Sequence, residues 1–150
     1  MGCEGMKKDV LIYVKGTQEY PVSSFENSIE FFTEGKFYKK GESYFVTYKE
    51  SELTGLAGTT TTFKIQPDLI TLIRWGDVTS TFIFEPGKRH ISTYITDQGV
   101  IMIGVYTKKM KVDLDDSGGE VLVEYAIDLD SHMMSENDFL LKIKEAGVKN

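Results

Sequence analysis

EVLVEYAIDLD, Glu120–Asp130, sets the reading of the whole chain. Val121, Val123, Tyr125, Ile127 and Leu129 alternate with mostly polar or small neighbours, the period of a strand with one buried face. The same period recurs on both sides. Phe139, Leu141 and Ile143 alternate with Leu140, Lys142 and Lys144 near one end, and Val10, Ile12 and Val14 repeat the pattern near the other. Further strands are expected at about 28–38, 43–50, 59–66, 69–75, 78–85, 89–96 and 100–113. The stretches between them, QPD (66–68), WGD (75–77), EPGK (85–88), DQG (97–99) and DDSGG (115–119), are turn chemistry. No long segment carries a helical period.

About ten strands at hairpin spacing predict an all-β domain, a barrel or a sandwich. Leu69-Ile70-Thr71-Leu72-Ile73 is apolar on both faces, and a run of consecutive hairpins loses its exposed edges only on closure. The expected fold is therefore a single antiparallel up-and-down barrel of about 8–10 strands over residues 9–146. Residues 1–8 are expected to form a flexible leader and 147–150 a tail.

Composition narrows the function. The 150 residues are 41% hydrophobic and 27% charged, the balance of a chain with a packed core. A net charge of −6 opposes nucleic acid as a partner, and no apolar run reaches the roughly 20 residues of a membrane-spanning helix. The lone cysteine, Cys3, cannot form an internal disulfide and fits a cytoplasmic location. Gly2-Cys3 at the start suggests acylation, but Met6 stands where that motif needs a hydroxyl.

LTGLAGTTTTFKI (53–65) raises the question of a site. On a strand Thr59, Thr61, Phe63 and Ile65 share one face, and the apolar pair should turn it inward. Threonine is a good strand former whose buried hydroxyls usually find backbone or water, so the run is explained by structure alone. It also fits a pocket with an apolar floor and a polar mouth. Tyr48 and Glu50 lie just upstream, and His90, Ser92 and Tyr94 share a face. Arg74 is the one charge in LITLIRW; whether it and Glu50 point inward or to water is open, because a doubly apolar strand does not fix its inner face.

Other motifs carry less. Asp113, Asp115, Ser117, Gly118 and Glu124 match calcium-loop positions, but the exit is a strand where that loop needs a helix, so an acidic hairpin turn is expected. Two histidines and one cysteine make a zinc site of the usual kind unexpected, and no cofactor is implied. Trp75 reads as packing at a turn and SHMM (131–134) as an exposed loop.

The segments FYKKGESYFVTYKESELTGLAGTTTTFKI, ITLIRWG, GKRHISTY, GVYTKKMKVDLDDSGGEVLVEYAIDLD and NDFLLKIKE together resemble the YwiB-like family of small bacterial proteins. That resemblance implies a calycin-like, lipocalin-like β-barrel and no assigned reaction. The first strand, VLIYVKG, lacks the Gly-x-Trp of lipocalins. The leading expectation is a barrel that holds a small, largely apolar ligand. Tyr48, Glu50, Thr59, Thr61, Phe63, Arg74, His90 and Tyr94 are the candidate binding residues. The alternatives are a protein-binding or self-associating module, monomer or homodimer, using strands 69–75 and 100–106, and an enzyme with Glu50 and His90 as acid and base.

Overall fold

A computed structural model describes residues 7–20, 25–130 and 132–146, the side chains of residues 25, 26 and 133 excepted. Residues 1–6 of the expected leader, Cys3 among them, and the tail at 147–150 lie outside these residues. Ten strands run in chain order: β1 (Lys8–Tyr20), β2 (Phe25–Lys40), β3 (Ser43–Lys49), β4 (Thr59–Gln66), β5 (Leu69–Gly76), β6 (Thr79–Phe84), β7 (Arg89–Thr96), β8 (Gly99–Asp115), β9 (Gly118–Leu129) and β10 (His132–Glu145). Each pairs antiparallel with its sequence neighbours, and β1 pairs with β10 to close the barrel. One single-turn 3₁₀ helix, Glu52–Thr54, precedes β4.

All the expected strands are present, several longer than the periodicity suggested. Lys8, assigned to the leader by its sequence, opens β1. His132 and the two methionines after it, read as loop, begin β10 at a register shift between Met133 and Ser135. A second shift lies between Thr107 and Lys109, so that Thr107 and Met110 both face Tyr125 and Val123 on the inner side of β9. The bulge changes which parity of β8 points inward.

One end of the barrel carries the turns β2–β3, β4–β5, β6–β7 and β8–β9. It is crossed by the last of these: Tyr44 on β3 donates to Asp116 Oδ1 at 2.8 Å, and Lys8 on β1 donates to the Asp116 carbonyl at 2.7 Å. This is the acidic hairpin expected from the sequence. Asp115 Oδ1 accepts from the Ser117 amide at 2.8 Å and its hydroxyl at 2.7 Å, an Asx turn between two strands. The interior above it is apolar. Val10, Ile12, Ile70, Phe84, Val121 and Leu141 are fully buried. Rings meet across the lumen from non-adjacent strands: Phe63 (β4) lies 5.5 Å from Phe139 (β10), and Phe84 (β6) lies 5.6 Å from Phe139 and 4.9 Å from Tyr125 (β9). These tilted and edge-on contacts add to the burial itself.

Phe84→Ala should therefore cost about 3–5 kcal/mol, the sum of lost transfer energy and an unfilled cavity. Urea unfolding followed by circular dichroism measures it, and a loss below about 1 kcal/mol would mean that the rings do not support one another.

Candidate functional site

The opposite end is built from the threonine run and the loop before it. Ser51 caps the 3₁₀ turn, its Oγ accepting from the Leu53 amide at 3.2 Å, and Gly55 leaves that turn in the left-handed region at φ 77°. The loop returns close beneath the β5–β6 turn: a Cβ on Gly76 would stand 2.3 Å from the Gly58 carbonyl oxygen, so no larger residue fits there. This fold-back brings the Glu50 amide to the Thr59 carbonyl at 2.9 Å and the Glu50 carboxylate over β4. There it accepts from the Thr54 hydroxyl at 2.9 Å and from the hydroxyl of Thr61, which is fully buried.

The four threonines divide as the alternation predicts. Thr59 and Thr61 are buried on the inner face with Phe63 and Ile65, Thr59 Oγ1 accepting from the Val78 amide at 3.2 Å. On the outer face Thr62 meets Thr47 hydroxyl to hydroxyl at 3.0 Å, a cross-strand pair.

Register settles the orientation left open by the sequence. Tyr48 stands opposite Thr61, Thr61 opposite Arg74, Arg74 opposite Ser80, and Ser80 opposite Tyr94, one inward row on five adjacent strands. Arg74 therefore points inward. Its charge reaches both Tyr48 on β3 and Tyr125 on β9, which lie on different walls of the barrel. Among the described residues it has no ion-pair or hydrogen-bond partner, and its Nε is buried without an acceptor. Ser80 Oγ and Thr107 Oγ1 are likewise buried without partners. No feature of the sequence marked Ser80 or Thr107. For Thr107 the signal was present in the step of three from Thr107 to Met110, which breaks the period of two.

Burial pushes the Tyr48 phenol well above its ordinary value, the nearby Glu50 carboxylate adding to the shift and Arg74 opposing it. Desolvation raises Tyr125 to about 12, again against Arg74. Yet Tyr125 is only half-buried, as are the inward-facing Ile29, Phe31, Tyr94, Ile103 and Ile127. Inward side chains that keep accessible surface border space that the protein does not fill. Above them, residues 55–57, 77–78 and 96–98 from three loops surround a recess of about 680 Å³.

His90 does not join this row. Its Nε2 lies 3.0 Å from Glu85 Oε1 at the β6–β7 turn, on the end opposite the Glu50 loop, and that contact holds Glu85 below the usual carboxylate range. Trp75, expected to pack at its turn, is 73% exposed. Among the described residues no group of three or more His, Cys, Asp or Glu side chains is placed to hold a metal ion, and no helix is long and apolar enough to cross a membrane.

Residues 12–141 match the family model described as a domain of unknown function, DUF1934. The chain belongs to that family. Among solved structures, the crystal structure of the YwiB protein from Bacillus subtilis is 22% identical, with 93% of each chain covered and a TM-score of 0.78. At that identity the likeness concerns the DUF1934 fold alone. Among curated proteins none matches significantly.

The phenols give the site a pH signature. The folded state keeps Tyr44, which burial and Asp116 raise to about 12, together with Tyr48 and Tyr125 protonated, while the unfolded chain ionises them near 10. Above pH 10 the unfolded state thus binds fewer protons, so stability is complete below that value and declines as pH rises towards 12. Tyrosinate absorbance at rising pH should show a late-ionising set that appears together with unfolding. Ionisation of all eight tyrosines near pH 10 in a folded chain would contradict this burial.

Proposed function

We propose that this DUF1934 barrel binds a small, largely apolar molecule, whose polar group is held by Tyr48, Glu50, Thr61 and Arg74. The observation that carries the reading is the combination of an inward, half-buried Arg74 whose Nε is buried without an acceptor and half-buried apolar side chains facing the same end of a closed barrel. Unsatisfied buried donors are costly, and a water-filled or ligand-filled space is what relieves them. Thr59 and Phe63 complete the wall as the sequence suggested, and Tyr94 closes the row. The ring cluster of Phe63, Phe84 and Phe139 limits the ligand to the end nearer the loops.

Native mass spectrometry and solvent extraction of the purified protein are expected to release a bound small molecule. Nile red, a neutral apolar dye, should fluoresce on uptake, and Ile103→Trp, which fills the space without adding charge, should weaken uptake at least tenfold. A bare protein mass together with an unresponsive dye would refute the reading.

A second reading rests on a separate surface. The β8–β9 ladder starts at Gly104 opposite Asp128, so Gly99–Ile103 pair with β7 alone among the described strands. Val100, Ile101 and Met102 there are 63%, 50% and 57% exposed. An apolar strand edge supports self-association or protein binding. Light scattering after size exclusion tests it: a Val100→Lys variant should lower the measured mass, whereas a strict monomer in the unaltered protein would count against this role.

A further inference from the structure

Resting on the ligand-binding reading, the count of donors and acceptors within the polar row says what kind of polar group the occupant carries. Arg74 donates only. Its register neighbours Thr61 and Ser80 bring hydroxyls, and Tyr48 and Tyr125 bring phenols that burial keeps protonated at neutral pH. Two carboxylates act on this set: Glu50, already engaged by Thr54 and Thr61, on Tyr48, and Asp138 on Tyr125. Arg74 Nε and Ser80 Oγ are left without an acceptor. Ser80 is 3% exposed, so bulk water does not reach its hydroxyl, whereas Arg74 is half-buried and keeps accessible surface. Arg74 is the one charged side chain of the row and has no ion-pair partner among the described residues.

We infer that the molecule this barrel takes carries a carboxylate, received by the inward-facing Arg74 guanidinium. A carboxylate matches the planar guanidinium fork, which offers two parallel N–H donors. Charge count separates it from a phosphate. With Glu50 beside the row, a single negative charge meets less repulsion than a dianion, for which there is no second cation among the described residues of the row. A neutral alcohol would leave the guanidinium uncompensated, and an amine would place like charges together.

The test compares straight-chain carboxylic acids of six to twelve carbons with alcohols and amines of matching length, by isothermal titration calorimetry at neutral pH. The acids are expected to bind at least about tenfold more tightly than the alcohols, the lower range of a charge-assisted hydrogen bond, and the amines least. Arg74→Gln should erase that preference while alcohol binding persists, and Arg74→Lys should restore part of it. Circular dichroism and melting confirm that each variant is folded, and should Arg74→Gln fail to fold, the acid-to-alcohol ratio of the unaltered protein decides alone. Equal binding of acids and alcohols, or an acid preference that survives in folded Arg74→Gln, overturns the carboxylate assignment and leaves the ligand-binding reading standing. No binding by any member, together with an unresponsive Nile red, removes both.

Discussion

Closure of the barrel by β1 and β10 is the constraint on which everything else depends. Ten residue pairs, from Val10–Glu145 to Glu19–Glu136, join strands from the two ends of the sequence. Without that seam the chain is an open meander with two long edges, and its inner face has no opposite wall. With it, Phe139 on β10 reaches Phe63 on β4, and Arg74 on β5 comes within electrostatic reach of Tyr125 on β9. The seam joins residues more than a hundred positions apart, so its loop-closure entropy must be offset by the ring cluster that it makes possible. Closure and core therefore stabilise each other.

The two ends of the enclosed space are built differently because the inward rows change character. The row Val46–Phe63–Leu72–Phe82 is apolar and buried throughout. Two residues further along the same strands, Tyr48–Thr61–Arg74–Ser80 is polar throughout. A core needs the first kind of row, and the second works against it: taking a charge and several hydroxyls out of water costs several kcal/mol unless each is paired. Glu50, Thr59 and Thr61 are paired within the protein. Arg74 Nε and Ser80 are not. Consistency between pattern and packing holds through the floor and fails in one row, which is where a site is expected in an otherwise well-specified fold.

Much of the fold was legible because a period of two survives closure unchanged. TTTTFKIQ alternates buried and half-buried along its length, as the sequence requires. Three features were not legible, each for a physical reason. LITLI is apolar on both faces, so parity alone could not orient Arg74, and only pairing with Thr61 did. The β8 bulge falls at Lys108-Lys109, where two adjacent lysines conceal the change of phase. His132 and the methionines after it look like a loop because their alternation is interrupted at the bulge before Ser135. Glu50 follows the C-terminal end of β3 and His90 stands at the N-terminal end of β7, and in an up-and-down barrel those ends of two odd-numbered strands lie at opposite mouths. That topology gives Glu50 to the polar row and His90 to Glu85.

The same geometry fixes how an amphiphile would sit. Below the polar row the lumen is occupied by Phe63, Phe84 and Phe139, and the far end is crossed by the Asp116 turn, so a tail cannot extend in that direction. Under the proposed ligand-binding role, entry would be from the end carrying the Glu50 loop and the β5–β6 and β7–β8 turns. A molecule whose head group meets Arg74 has only the loop side left for its tail, where Ile29, Phe31 and Ile127 keep accessible inner surface. Such a ligand enters head first. Its charge is then desolvated at the deepest accessible point, where attraction to the guanidinium is least screened, and its apolar part covers side chains that would otherwise meet water. A tail-first orientation would need the aromatic floor to open, and that floor is what the closed barrel is packed around.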